Sequence, residues 1–381
     1  MSSEPVSAEP VSIEPGVSAG EATASDAAAL DRLKTPLCEL LGVRYPIIQT
    51  GMGWVSGATL TAATAEAGGF GILASATMTL EELAQAIAKV KARTTAPFGV
   101  NLLPNQADLA KRIALLVQES IPVASFAGAP SAAVVQELND AGITSIVTVG
   151  AKRHAEKMVG IGVSALIAQG GEGGGHTGSI PTSLLLPQVV DACAGAGVPV
   201  IGAGGFYDGR GLVAALAYGA DGIAMGTRFL LSAESQVPAN VKELYLKSAL
   251  TATVVTEAID GAPQRVIRTD MIDALEKSPA VLRFPKAAMN ALRFSRESKT
   301  SLLALLKTGR EMKSAQDLTW AQVALAANAP MMTKASMVDG RPEVGILPTG
   351  QVVGAIGSLP PVAEILESIV SEAAATLVSL R

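Results

Sequence analysis

Eight short apolar runs, spaced about 25 residues apart, constrain the fold of this chain more than any other feature. Because the runs lack polar alternation, they are typical of strands buried on both faces of a parallel sheet. They are Pro46–Thr50, Gly71–Ala74, Phe98–Asn101, Val123–Phe126, Ile146–Val149, Ala165–Gln169, Val200–Ala203 and Gly222–Met225. Helix-like segments such as TLEELAQAIAKVKART separate them. The repeat predicts an α/β fold, a (β/α)8 TIM barrel over residues 36–235, with a doubly wound sheet as the alternative that periodicity does not separate from it.

The sequence changes character on both sides of this repeat. Residues 1–30 are rich in Ser, Glu, Pro and Ala, offer little apolar surface to bury and are predicted to be a disordered tail. Larger residues in helical patterns follow the last run, and they predict a helical lid or substrate region over 236–345. Residues 346–381 are predicted to be a loop and a final helix that packs on the barrel, with Pro360 and Pro361 at the start of the helix.

Composition excludes several classes of function. A net charge of −5 does not fit a nucleic-acid-binding protein, which carries a basic surface. No apolar run approaches the roughly 18–20 residues of a membrane span, and the first residues lack the basic and apolar regions of a signal peptide. Cys38 and Cys193 stand far apart, outside any metal or redox spacing. We therefore expect a cytoplasmic protein without a metal site, whose partner is a small-molecule substrate rather than nucleic acid or a membrane.

Glycine-rich loops follow several of the predicted strands. They include QTGMGW (49–54), QGGEGGGHTG (169–178), GAGGFYDGRG (202–211) and MGTRF (225–229). In a barrel these loops meet at the carboxyl ends of the strands, where active sites lie and where the last two strands commonly hold a phosphate. Each loop alone is equally compatible with a tight turn, but four at one rim favour a binding site. The GAGGFYDG segment lacks the G-x-G-x-x-G spacing of a dinucleotide site.

The motifs PIIQTGMGW, QGGEGGGHTG, PVIGAGGFYDGRGLVAALAYGADGIAMGTRF and GQVVGAI resemble the nitronate monooxygenase (2-nitropropane dioxygenase) superfamily. The resemblance covers about residues 36–375 and implies an FMN-dependent (β/α)8 flavoenzyme, related to FabK-type enoyl reductases. It also implies a role for residues in each loop. The residues implied to pack on the flavin ring or bind its polar edge are Gly51, Met52, Gly53, Asn101, Gln169 and Gln351. Those implied to hold the FMN phosphate are Gly174, Gly204, Gly205, Gly226 and Thr227.

The resemblance assigns His176 the role of acid/base beside the flavin. The chain contains only two histidines, and this one lies within a glycine loop. An imidazole titrates near pH 6.5, so it can both accept and donate a proton at working pH. From the residues alone, a loop histidine that binds its own backbone is equally possible; the other histidine, His154, lies on a charged helical face and is expected to be exposed.

The predicted lid contains a strongly basic segment, which bears on the class of substrate within the superfamily. Residues 277–313 contain nine Lys or Arg and two Glu, a net charge of +7. A solvated helix face and a binding site for an anionic group such as the phosphates of coenzyme A are both compatible with this pattern. YPIIQTGMGWV, GGFGILASATMT and DLTWAQVALAANAP are similar to IpdC-type flavoenzymes of bacterial steroid-ring degradation, which act on CoA thioesters. The substrate-binding residues implied by this likeness are Arg283, Arg293, Arg296 and Lys299.

Three functions follow as hypotheses. The first is an FMN-dependent oxidoreductase acting on the Cα–Cβ region of a steroid-derived bicyclic acyl-CoA, with His176 as acid/base. The second is a nitronate monooxygenase that uses O2. The third is a flavin- or phosphate-binding barrel without catalysis. The sequence leaves open the exact substrate, the redox direction, the electron partner and the oligomeric state.

Overall fold

The computed structural model describes residues 24–277 and 320–380, and a closed barrel of parallel strands forms its centre. The barrel strands are β1 (Ile47–Gln49), β2 (Phe70–Ala74), β3 (Phe98–Leu102), β4 (Val123–Phe126), β5 (Thr144–Val149), β6 (Ala165–Gln169), β8 (Val200–Ala203) and β9 (Gly222–Met225). A short strand, β7 (Gly175–His176), lies outside the barrel. The last barrel strand pairs with the first, with Ala224 opposite Ile48. This closure confirms the predicted barrel and excludes the doubly wound sheet.

Helices surround the barrel and extend the chain on both sides of it. They are α1 (Ala24–Asp31), α2 (Pro36–Leu41), α3 (Ala58–Glu66), α4 (Leu80–Lys91), α5 (Leu109–Gln118), α6 (Ala132–Asp140), α7 (Lys152–Gly160), α8 (Thr182–Cys193), α9 (Gly209–Ala217), α10 (Thr227–Leu230), α11 (Ala239–Leu246), α12 (Asp270–Lys277), α13 (Trp320–Met337) and α14 (Val362–Ser379). A 3-10 turn covers Gln351–Ala355. The final helix α14 packs against α9, α3 and α1.

The interior of the barrel changes from apolar to polar along the strands. Ile48, Phe70, Val123, Ile146 and Ile167 form one buried cluster, which Leu37 and Leu41 of α2 join. Side chains two residues further along a strand face the same side. The next inward positions are therefore polar on four strands: Asn101, Ser125, Thr148 and Gln169. The apolar layers stabilise the barrel, and the polar layer forms the floor of a cavity at the carboxyl end.

A described helix overlaps the end of the segment predicted to be a disordered tail. Helix α1 occupies the last residues of the segment 1–30, and Ala29 within it is fully buried. This helix packs against α14, and such a contact between segments far apart in the sequence is not visible in local composition. Residues 1–23 of the predicted tail lie outside the described residues.

The region predicted as a helical lid also contains a β-hairpin, so the prediction of helices alone was incomplete. Strands β10 (Thr253–Thr256) and β11 (Gln264–Ile267) are antiparallel, and β11 pairs in turn with β7 of the glycine loop. Each of these strands has only four residues, too few to establish a period. The pairing with β7 joins residues 88 positions apart in the sequence. The hairpin brings its tip, residues 257–263, to the barrel mouth.

Candidate active site

A cavity of about 470 Å³ opens at the carboxyl ends of the barrel strands. Its volume lies within the range of small-molecule sites, and its position is that of the active site in barrel enzymes. Ten of the eleven residues predicted to contact the flavin line it, together with His176: Gly51, Met52, Gly53, Asn101, Gln169, Gly174, Gly204, Gly205, Gly226 and Thr227. The loops singled out by their glycines therefore meet around one space.

Two consecutive glycines after β8 lie in the cavity wall. Gly204 and Gly205 have φ of 88° and 86°, a left-handed conformation that glycine adopts without strain. A Cβ atom at Gly205 would meet only the Glu172 side chain, at 3.8 Å and 4.0 Å, so the space beside this backbone is open. Gly226 and the short helix α10 follow the neighbouring strand β9. Successive left-handed N–H groups beside a helix start are a common anion site in the last two loops of a barrel.

Gly174 and Thr227 contact the loop that contains Thr349 and Gly350. A Cβ atom at Gly174 would lie 2.3 Å from the carbonyl carbon of Thr349, so glycine is needed there for close backbone packing. The Thr227 hydroxyl accepts a hydrogen bond of 2.9 Å from the Gly350 N–H. Both residues therefore fix the loop that precedes the 3-10 turn against the cavity wall.

Gln351 does not line the central cavity. Its backbone N–H donates to the Glu172 carbonyl at 3.0 Å, and the residue borders a neighbouring open cavity beside the glycine loop. The GQVVG motif thus reaches the cavity through Gly350 and Val352 instead.

The loop after β1 is held by a buried amide that the sequence analysis did not single out. The Gln49 side chain donates to the Ser56 hydroxyl at 2.8 Å and to the Ile72 carbonyl at 3.1 Å. Ser56 in turn accepts from the Met52 N–H at 2.9 Å. A Cβ atom at Gly51 would lie 2.5 Å from that of Asn101, so the loop lies directly on β3. These contacts fix the shape of the Gly51–Gly53 backbone.

His176 lies at the rim of the cavity, paired with the tip of the hairpin. Its Nε2 atom is 2.8 Å from Oδ2 of Asp260, and its carbonyl accepts a hydrogen bond of 2.7 Å from the Gln169 side chain. The histidine side chain is 66% exposed, whereas that of Asp260 is 8% exposed. Burial raises the pKa of the Asp260 carboxyl, but the hydrogen-bond donors around it and the charge of His176 outweigh burial, and the net pKa lies below its ordinary value of 3.8.

Few ionisable side chains line the cavity. Among the described residues that border it, they are Glu172, His176 and Asp260. The Glu172 carboxylate accepts hydrogen bonds from the N–H and hydroxyl of Thr182, at 2.9 Å and 2.7 Å, at the start of α8. Glu172 therefore braces the glycine loop, and the His176–Asp260 pair is the ionisable pair at the cavity mouth.

The far side of the cavity is formed by α13. Pro330, Thr333 and Met337 of this helix line it, and the Pro330 carbonyl accepts a hydrogen bond of 3.1 Å from the Trp54 indole. Trp54 itself has a left-handed backbone, with φ of 65°. The contact ties the loop after β1 to the region that follows the barrel.

Other predicted features lie away from the cavity or outside the described residues. Arg283, Arg293, Arg296 and Lys299 belong to the segment 278–319, which lies outside them. Cys38 and Cys193 are buried thiols without a disulfide bond. Within residues 24–277 and 320–380, no cluster of His, Cys, Asp or Glu is arranged to hold a metal ion. No helix in the same ranges is both long and apolar enough to cross a membrane.

The fold and the site define a (β/α)8 barrel with a ligand cavity and a histidine–aspartate pair at its mouth, and comparison with known proteins specifies the family. Residues 34–114 and 107–372 match the model of the nitronate monooxygenase family. A Mycobacterium tuberculosis protein named (3aS,4S,5R,7aS)-5-hydroxy-7a-methyl-1-oxo-octahydro-1H-indene-4-carboxyl-CoA dehydrogenase is 53% identical over 342 residues, 90% of this chain and 96% of that protein. A Rhodococcus jostii protein of the same name is 50% identical over 344 residues, 90% and 97% of the two chains.

Solved structures agree with this relationship. FabK from Thermotoga maritima superposes with a TM-score of 0.74 at 31% identity, covering 91% of this chain and 98% of that chain. This chain belongs to the nitronate monooxygenase family. It is an oxidoreductase, as are the dehydrogenases and monooxygenases that it resembles.

Proposed function

We propose that this chain is an FMN-dependent dehydrogenase of a bicyclic acyl-CoA thioester of the hydroxy-methyl-oxo-octahydroindene class. The observation that carries the proposal is the juxtaposition, in one cavity, of an open glycine anion site and the His176–Asp260 pair. The substrate class comes from the two relatives that share half or more of their aligned residues with this chain and are named for that reaction.

The residues at the cavity fit FMN. Gly205 leaves open, at the carboxyl end of β8, the space that a Cβ atom and its substituents would otherwise take, whereas a Cβ atom at Gly204 would lie 2.9 Å from the Gly170 carbonyl oxygen. The backbone of both residues would hold the phosphate with Gly226 and α10. The backbone of Gly51–Gly53 would lie against the ring, and Asn101 and Gln169 offer amide groups to its polar edge. When bound, the flavin supplies two-electron redox chemistry at carbon.

His176 is the group that exchanges a proton with the substrate. A thioester carbonyl acidifies the adjacent Cα–H bond, and dehydrogenation across Cα–Cβ removes that proton together with a hydride equivalent from Cβ, leaving a C=C bond. Because Glu172 is engaged at α8, the imidazole is the exposed acceptor at the cavity. General acid–base catalysis by a positioned imidazole contributes about 10²–10⁴-fold to a rate.

Anaerobic mixing with the thioester tests this function. We expect the FMN-loaded protein to lose its visible flavin absorbance when mixed with the hydroxy-oxo-octahydroindene carboxyl-CoA named for the relatives. The matched free acid should leave the absorbance unchanged, since it lacks the thioester that acidifies Cα. Flavin that stays oxidised with the thioester, at substrate concentrations that saturate binding, would argue against the proposal.

Oxidation of nitronates is the second candidate, because the family model that matches this chain is that of nitronate monooxygenase. Turnover of propionate 3-nitronate with O2 at a rate far above that with the acyl-CoA would favour it. A protein that binds flavin but turns over neither compound would favour a barrel without catalysis.

The basic segment is proposed to bind the phosphates of coenzyme A. Changing Arg283, Arg293, Arg296 and Lys299 together to glutamine removes four positive charges. We expect KM for the CoA thioester to rise about 10-fold or more, since charge-assisted contacts to phosphate are each worth about 1.5–3 kcal/mol. KM for the corresponding pantetheine thioester, which lacks the nucleotide phosphates, should stay unchanged. An equal rise for both thioesters would show that the segment acts otherwise.

A further inference from the structure

We propose that Asp260 is a positioning residue that holds His176 in its Nε2–H tautomer, so that Nδ1 is the nitrogen that exchanges a proton with substrate. The inference rests on the proposed function for its chemistry, but the tautomer itself can be measured without any substrate. It follows from the contacts of the carboxylate, the pairing of the hairpin and the distribution of charge around the imidazole.

The carboxylate of Asp260 is held in one orientation by its own donors. Oδ1 accepts a hydrogen bond of 3.1 Å from the Ala262 N–H, and Oδ2 accepts one of 2.5 Å from the Gln264 amide. With its side chain 8% exposed, the group has little freedom to turn. Its second contact through Oδ2 is therefore directed at the His176 ring.

An ionised carboxylate accepts hydrogen bonds and donates none. At 2.8 Å from Oδ2, His176 Nε2 must therefore carry a hydrogen, because a lone pair there would face a negative oxygen at contact distance. Gln264 Nε2 also lies 3.3 Å from the same ring nitrogen and is a donor, so it could pair with the opposite tautomer. The carboxylate contact is shorter and charged, which makes it the stronger determinant. In the neutral ring the lone pair then lies on Nδ1.

The backbone around the histidine is held independently of its ring. His176 pairs with Gln264 across β7 and β11, and the Thr177 N–H donates to the Pro263 carbonyl at 3.1 Å. Gln169 binds the His176 carbonyl from the barrel side. Because these contacts fix the main chain of His176, the hydrogen bond to Asp260 sets the orientation of the imidazole ring.

Charged groups on the neighbouring elements are engaged elsewhere. Glu172 of the glycine loop binds Thr182, and Arg265 of β11 donates to the Gly171 carbonyl and to the Thr253 hydroxyl. Among the described residues that border the cavity, Asp260 is the charged group in contact with the imidazole.

The tautomer can be read directly by nuclear magnetic resonance. Because the chain contains two histidines, a His154→Gln background leaves one imidazole in FMN-loaded protein labelled with 15N-histidine. Long-range 1H–15N correlations distinguish the protonated nitrogen from the bare one. At a pH where the ring is neutral, we expect a protonated Nε2 and a bare Nδ1. A ring protonated on Nδ1 would overturn the proposal, and this measurement needs no substitution at Asp260.

Asp260→Asn provides the second arm. An asparagine has one acceptor oxygen for three donors, so its NH2 group must face either the Ala262 N–H or the side of His176 and Gln264. If the oxygen of Asn at position 260 keeps its hydrogen bond from the Ala262 N–H, the NH2 group points at Nε2 of His176. This NH2 group needs an acceptor there, so it favours the tautomer of His176 that is protonated on Nδ1. We expect the resonances to shift toward that tautomer and kcat for the acyl-CoA to fall about 10²–10⁴-fold, with KM and FMN content nearly unchanged. Asp339→Asn, which alters an exposed aspartate paired with Lys334, is the matched control and should leave both readouts unchanged.

The outcomes separate this inference from the proposed function. An Nε2–H ring in a protein that does not turn over the acyl-CoA would support the positioning role and refute the substrate. An Asp260→Asn protein with full kcat and an unchanged tautomer would refute the positioning role even if the wild-type protein oxidises the acyl-CoA.

Discussion

Replacement of His176 by alanine is expected to slow flavin reduction by the acyl-CoA about 10²–10⁴-fold while FMN stays bound. The residue lies at the rim of the cavity, on the hairpin side, and its side chain is 66% exposed, so its loss removes the proposed proton acceptor without opening the apolar core. Stopped-flow measurement of flavin reduction under anaerobic conditions separates this step from reoxidation. Because the imidazole is accessible, added imidazole should restore part of the rate.

His154→Ala is the matched control for this experiment. His154 lies on α7, outside the cavity, and its loss should leave the rate unchanged. A His176→Ala protein with the wild-type rate of reduction would mean that another group takes the proton; among the described residues at the cavity, Asp260 would be the next to test.

Substitution of Gly205 by valine is expected to yield a protein that binds FMN at least about 10-fold more weakly, a loss of about 1.4 kcal/mol or more. The β-branched side chain would occupy the open space beside Gly205 where the phosphate is proposed to lie. The purified protein should be colourless, and titration with FMN followed by flavin fluorescence gives the affinity.

The Gly205→Val substitution could weaken FMN binding either by filling the phosphate space or by straining the backbone, and a control has to separate these two effects. Gly205 has φ of 86°, and a left-handed non-glycine residue costs about 1–3 kcal/mol wherever it occurs. Gly195 has φ of 79°, and a Cβ atom there would meet nothing within 4 Å, so Gly195→Val introduces similar strain away from the cavity. We expect similar losses of thermal stability in both variants but a yellow Gly195→Val protein. If Gly205→Val is equally yellow, the phosphate lies elsewhere.

The barrel could be predicted from sequence because its signal is local and repeated. Each strand is a short apolar run, and the observed Val123–Phe126, Ala165–Gln169, Val200–Ala203 and Gly222–Met225 coincide with the predicted bounds. Glycine loops after successive strands meet at one rim in any such barrel, which explains why ten of the eleven residues named for the flavin line one cavity. The eleventh, Gln351, came from a loop whose path depends on its packing against Glu172.

The partner of His176 could not be predicted, because Asp260 is 84 residues away and its Asp-Gly sequence indicates only a turn. The hairpin that carries it consists of two four-residue strands, whose pairing with β7 depends on tertiary contact. Nor does a glycine in the sequence reveal its role. Gly205 borders open space, whereas Gly174 permits close contact with Thr349, and only the surroundings of each residue distinguish the two.

The proposed function requires a flavin bound at the carboxyl end of the barrel. Incubation of the purified protein with FMN, removal of unbound flavin and measurement of the absorbance spectrum test this claim. We predict a yellow protein with one FMN per chain, and a flavin spectrum that changes in the His176→Ala variant because the imidazole is proposed to lie beside the cofactor. A protein that remains colourless after incubation with FMN would contradict a flavin site in this barrel.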